Sequence, residues 1–131
     1  MNGDRSQQKL DRKKIYDKYQ GHCAYCGVEI TMKQMHVDHV HPRFRGGEDD
    51  ENNLNPSCRR CNSWKSAWTL EEFRKEISAQ VARLALRSPG YRLARDFFLI
   101  TETGEDVRFY FELKVLQTRE KGNMERLRNN A

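Results

Sequence analysis

The sequence predicts an α+β fold in a single domain, held together by a four-cysteine metal site. Three observations predict it. Two CxxC pairs, Cys23-Ala-Tyr-Cys26 and Cys58-Arg-Arg-Cys61, use all four cysteines of the 131-residue chain. Residues 69–87 carry apolar side chains at helical spacing, and residues 35–40 and 107–113 are β-capable runs. The length suits one domain of roughly 100–150 residues. Hydrophobic residues make up 37% and charged residues 33%, against about 45–50% apolar in ordinary globular chains. A core this thin gains from a staple, which a metal ion can supply.

Composition also excludes classes of function. No apolar run exceeds Phe97–Ile100, too short for a membrane span. Met1 to Gln8 is polar, without the apolar stretch of a secretory signal. The expectation is a cytoplasmic chain whose thiols stay reduced, which favours metal ligation over disulfides. Lys and Arg number 24 against 19 Asp and Glu, a net charge of +5; this favours an anionic partner.

The elements follow in order. Residues 5–19 read as a helix with Leu10, Ile15, Tyr16 and Tyr19 on one face and Gly21 as its stop. His22 to Gly27 reads as a tight loop holding the first knuckle. Met35–Val40 is a short strand ended by His41-Pro42, and 43–53 is a polar, glycine-containing loop. A short helix begins near Cys58, after Pro56. The longest helix starts at Thr69, because Thr69-x-x-Glu72 fits a capping box, and Pro89-Gly90 stops it. Trp64 and Trp68 are assigned to the core. Phe97–Thr101 and Val107–Leu113 are expected to pair as a hairpin, since Val107, Phe109, Phe111 and Leu113 alternate with polar neighbours.

A CxxC knuckle offers two thiolates to one tetrahedral ion, and two knuckles close a structural zinc site that performs no chemistry. Cys23, Cys26, Cys58 and Cys61 are therefore the expected ligands. The interval from Cys26 to Cys58 is longer than the ~15–20 residues of many zinc patterns, so the two knuckles display something between them. That interval contains Met35-His36-Val37-Asp38-His39-Val40-His41-Pro42, and all four histidines fall between positions 22 and 41. It also contains Asn52-Asn53-Leu54, and the second knuckle runs on into Asn62 and Lys65. Cys58, Cys61, Asn62 and Lys65 are spaced to share a helical face.

The order CxxC, DHxxP, a GG-containing acidic loop, NL and CxxC-N-x-x-K, over residues 21–65, resembles the HNH endonuclease family. The resemblance implies a ββα-metal unit: two short strands and a helix around one catalytic divalent cation. It implies that Asp38 ligates that cation, that His39 is the general base activating water, that Asn53 holds the His-bearing loop, and that Asn62 is the second protein ligand. The last position is commonly His in the family, so this chain carries a His-Asn-Asn variant. The core is then 21–68, with 69–131 a helix and hairpin extension of the same domain.

The residue chemistry agrees with that assignment. Phosphodiester hydrolysis needs an activated water and stabilisation of charge on the phosphoryl and leaving oxygens. An imidazole titrates near 6.5 and is a neutral base around pH 7. Asp38 and the Asn62 amide oxygen are hard ligands suited to Mg²⁺ or Mn²⁺. Consecutive strand residues point to opposite faces, so Asp38 and His39 share a site only if the scissile group bridges them or the strand ends there. His41 and His36 are possible supporting groups. Arg43, Arg45, Arg59, Arg60 and Lys65 form an expected basic rim for phosphates, with Lys65 favoured because it shares a face with Asn62.

The leading expectation is a metal-dependent endonuclease that nicks or cuts DNA, as monomer or homodimer, of the small stand-alone phage or mobile-element type. The alternatives are a catalytically inactive zinc-stapled nucleic-acid-binding module and a protein-interaction module. The sequence shows no separate reader of base sequence, neither helix-turn-helix nor finger repeat.

Overall fold

Two short strands and the helix that follows them carry the site. In the computed structural model, which describes residues 11–129, β1 (His36–His39) pairs antiparallel with β2 (Leu54–Ser57). The register places His36 opposite Ser57, Val37 opposite Pro56, Asp38 opposite Asn55 and His39 opposite Leu54. All four residues of β2 are buried. Pro56 cannot donate to a ladder, and its carbonyl instead accepts the Ala24 N–H at 2.8 Å, tying the strand to the first knuckle.

Helix α1 (Arg12–Asp17) is capped by Asp11, whose side chain accepts from the Lys14 N–H, and buries Ile15. It is shorter than the expected 5–19, and residues 5–10 lie outside the described residues. Helix α2 (Arg59–Lys65) follows β2 directly, with the Cys58 sulfur accepting from the Cys61 N–H. The order β1, β2, α2 is the expected ββα arrangement within a mixed α+β fold.

Helix α3 (Leu70–Ser78) starts with the expected capping box between Thr69 and Glu72. The chain turns at Ala79, so the long helix expected to Arg87 is two helices, α3 and α4 (Gln80–Arg87). Pro89 likewise starts an element and does not end one. Ser88 caps α5 (Pro89–Asp96), and proline at its first position lacks only an N–H that has no helical partner there.

The C-terminal hairpin is not formed. Residues 97–106 are exposed and make no ladder, and Tyr110–Asn129 is helix α6. Two donors near the start of α6 have partners outside it. The Tyr110 N–H bonds the Tyr25 carbonyl at 3.0 Å and the Phe111 N–H bonds the Ala24 carbonyl at 2.9 Å. These are groups that a helix start leaves unsatisfied, and the knuckle supplies their acceptors. The alternation that suggested a strand still marks an inward-facing set: Phe109 is buried, and Val107 and Phe111 pack against the same cluster.

The core has two parts. Tyr25, Phe73 and Phe109 form an aromatic cluster beside Cys23 and Cys61. Tyr25 meets Phe73 and Phe109 edge-on at 5.7 and 5.4 Å between ring centroids. Ile15, Ile30, Met35 and Leu54 form the second part under the sheet. Trp68 packs against the aromatic cluster as expected, but Trp64 stands half exposed at 49%. Arg74 locks α3 to α6: it lies over the Phe109 ring at 4.7 Å and makes two 2.8 Å bonds to the Glu112 carboxylate.

Candidate active site

The four cysteines come together. Their sulfur atoms all lie within 4.8 Å of one another, and Cys26 and Cys58 are 3.8 Å apart. A tetrahedron of thiolates about 2.3 Å from a central zinc has edges of about 3.8 Å, so the cluster fits a zinc ion. The Cys61 side chain lowers the neighbouring Cys23 thiol below its ordinary range, and Cys61 is raised in turn. Arg60, at the exposed start of α2, is raised by the neighbouring Cys26 sulfur.

The first knuckle also reaches the strand. Tyr25, between its two cysteines and 3% exposed, donates its hydroxyl to Asp38 Oδ2. Asp38 is 5% exposed, on the inner face of β1. Lys65, on α2, is wholly buried; its Nζ is 3.2 Å from Asp38 Oδ2 and 2.8 Å from the His39 carbonyl oxygen. Burial pushes the Asp38 carboxyl up, and the bonds from Tyr25 and Lys65 oppose that rise. Burial, then the Asp38 charge, pushes the Tyr25 hydroxyl up.

This placement corrects the expectation for Lys65. An ammonium with no exposed surface, spent on Asp38 and His39, cannot line a phosphate-binding rim. Sequence spacing put Lys65 on the same helical face as Cys58, Cys61 and Asn62. That face is the inward one, so the positive charge points at the strand.

His39 points away from Asp38, as strand alternation requires. Its Nε2 lies 2.7 Å from Asp49 Oδ1, and Asp49 Oδ2 accepts from Arg43 at 2.5 Å. The loop between them is fastened by Asn53. The Asn53 Oδ1 accepts the His41 N–H at 2.8 Å, and its Nδ2 donates to the His41 and Glu48 carbonyls at 3.0 and 2.9 Å. Asn52 makes no comparable side-chain bridge; its N–H is capped by Asp50 at 3.0 Å.

The remaining expected residues are distributed around this centre. His41 is exposed and its ring bonds the Arg45 carbonyl at 3.0 Å; His36 is exposed at the far end of β1. Arg43, Arg45, Arg59 and Arg60 are exposed, with Arg43 paired to Asp49 and Arg45 to Glu72. Asn62 is half-buried on α2, one residue after Cys61. Its amide oxygen and the Asp38 carboxylate are the hard donors that a divalent cation takes.

Sequence reasoning missed Tyr25 and Asp49. Tyr25 carried a signal, since an aromatic residue between two metal-binding cysteines has its orientation set by the knuckle. Asp49 sat among several acidic neighbours with nothing local to distinguish it.

Comparison with known proteins bears on this arrangement directly. Residues 23–67 match the HNH endonuclease family. The matched segment thus runs from the first cysteine to just beyond Lys65. A curated relative, the CRISPR-associated endonuclease Cas9 of Corynebacterium diphtheriae, is 35% identical over 81 residues, which are 61% of this chain and 8% of that protein. The crystal structure of the Type II-C Cas9 enzyme from Actinomyces naeslundii aligns with a TM-score of 0.47 and 24% identity, covering 58% of this chain and 10% of that one. The chain thus corresponds to a small part of each of these proteins. No described helix is long and apolar enough to cross a membrane.

Proposed function

We propose that this chain is a metal-dependent endonuclease that hydrolyses DNA phosphodiester bonds. The observation that carries the proposal is that Asp38, His39, Asn53 and Asn62 all fall inside the segment that matches the HNH family. A relative that is itself an endonuclease supports it.

His39 is the general base, taking a proton from the water that attacks phosphorus. Its ring is half-buried but reachable, with 21% of the side chain exposed. Asn53 keeps the backbone after His39 in place by bonding His41 on both its N–H and its carbonyl. Asp38 and Asn62 are the residues that hold a divalent cation, Mg²⁺ or Mn²⁺. Such an ion, when bound, supplies positive charge against the phosphoryl and leaving oxygens. Asp38 accepts from two protein donors, and a carboxylate has about four acceptor positions, so it retains capacity for a further partner. Arg59 and Arg60 offer positive charge for the DNA backbone, a contact that is insensitive to sequence. The four cysteines hold a structural zinc ion that fixes α2, and with it Asn62.

One observation favours a second reading, a zinc-stapled nucleic-acid-binding module without chemistry. Asp38 is buried and already neutralised by Lys65. The two readings part in one assay: supercoiled plasmid incubated with purified protein, with Mg²⁺ or Mn²⁺ added or a weak chelator in its place. Nicking or linearisation that depends on the added ion supports the nuclease. Retarded plasmid that is never cut supports the binding module.

A further inference from the structure

We propose that Asp49 is the positioning residue that fixes the tautomer and ring orientation of His39, acting as the carboxylate of a His39–Asp49–Arg43 chain. The inference rests on His39 being the general base.

The geometry is a three-member relay. His39 Nε2 and Asp49 Oδ1 are 2.7 Å apart, and Arg43 Nη2 donates to the other carboxylate oxygen at 2.5 Å. A neutral imidazole has one donor nitrogen and one acceptor nitrogen, and the partner of one decides the role of the other. An ionised carboxylate only accepts. Asp49 is held ionised by Arg43 first and His39 second, its carboxyl lowered to about 2. The proton of neutral His39 therefore sits on Nε2, and Nδ1 keeps the lone pair that can take a proton from water.

The loop is built to bring Asp49 there. Gly46 adopts a φ of +93°, which side chains rarely take. A Cβ on Gly47 would stand 1.8 Å from the His41 carbonyl oxygen, so only glycine allows the chain to double back over His41. The Gly47 N–H bonds the Pro42 carbonyl at 2.9 Å, and Asn53 holds the Glu48 carbonyl. Asp49 follows immediately, returned to the strand it would otherwise leave. Arg43 lies at the start of the same loop, so the Asp49 carboxylate joins that loop to His39 at the end of β1.

The decisive variant is Asp49→Asn. The amide oxygen is drawn to Arg43, a donor, which turns the amide NH2 toward His39 Nε2. Nε2 must then accept, and the imidazole proton moves to Nδ1, where it blocks the base. In a Ser-His-Asp triad the same exchange keeps the geometry and lowers kcat by about 10⁴ through the wrong tautomer.

The test is ¹⁵N NMR of the histidine ring nitrogens, on zinc-loaded protein at mildly alkaline pH, with plasmid cleavage measured in parallel. In the wild type, His39 should show a protonated Nε2 and an unprotonated Nδ1. Asp49→Asn should invert that pattern and lower kcat by about 10²–10⁴-fold, with KM for DNA changed by less than about threefold and the backbone amide spectrum of the core unmoved. An unchanged tautomer in Asp49→Asn, or cleavage at the wild-type rate, overturns the proposal. A wild-type protein that cuts no plasmid overturns the nuclease reading instead, and the ring spectra still decide the role of Asp49.

Discussion

The Lys65 ammonium lies 2.8 Å from the carbonyl oxygen of His39, so the only fully buried lysine among the described residues ends on the backbone of the proposed base. The same nitrogen is 3.2 Å from Asp38. One helix side chain thus fixes two successive strand residues that point to opposite faces. Asp38 thus meets α2 through Lys65, and the His39 ring meets the 43–53 loop through Asp49.

Removing Lys65 should be costly for stability. Lys65→Met leaves Asp38 as a buried charge without its cation, a loss of about 3–5 kcal/mol for such pairs. Adding Asp38→Asn to Lys65→Met should recover part of the loss, because no net charge then remains buried. Urea unfolding of the two single variants and the double variant checks this. Lys65→Met should not reduce the salt dependence of DNA binding, since a buried ammonium releases no counterion.

Tyr25→Phe removes one donor from Asp38 without touching the zinc ligands. The expected loss is about 1–3 kcal/mol, the range for leaving a buried acceptor short of its partner. Zinc content, measured by elemental analysis, should stay at one ion per chain in Tyr25→Phe. It should fall in Cys23→Ser, which should also unfold the protein, because structural zinc binding is coupled to folding.

The Arg74–Glu112 clamp predicts a pH dependence. The bond from Arg74 lowers the folded-state Glu112 carboxyl below its usual range. A carboxyl depressed in the folded state contributes stability above its unfolded value, near 4.3, and loses it as pH falls through the folded value. Glu112→Gln should therefore be less stable than wild type at pH 7, by about 1–2 kcal/mol. The two proteins should converge as pH falls below the folded-state value, as followed by urea midpoints across that range.

Asn53→Ala deletes the three bonds that hold His41 and Glu48. Amide exchange in 41–49 should accelerate while exchange in α2 and α3 stays as in the wild type. Cleavage should fall with the loop, since Asp49 and the backbone after His39 lose their common anchor.

Much of this organisation was legible in the sequence because it is local. The two CxxC pairs, the Thr69 and Glu72 cap and the Asp38-His39 dipeptide each declare themselves within four residues. The hairpin expected after Phe97 does not form, because alternation reports only which side chains face inward. Val107, Phe109 and Phe111 do face inward, but against a knuckle much earlier in the chain. Pro89 reads as a stop because the same residue suits either side of a helix boundary, and Ser88 decides which. Lys65 and Asp49 escape a local reading for a common reason. Their roles depend on β1 meeting both α2 and the 43–53 loop, and no local pattern encodes those contacts.

Whether His39 is the base is decided by comparing wild type with His39→Ala on supercoiled plasmid in Mg²⁺ or Mn²⁺, with zinc content and amide spectra confirming that both are folded. Wild type should convert the plasmid to nicked or linear form only with added ion. His39→Ala should be slower by about 10²–10⁴-fold while still binding DNA. Cleavage by His39→Ala at the wild-type rate would show that His39 is not the base, and a wild type that binds plasmid but never cuts it would show that the chain is not a nuclease.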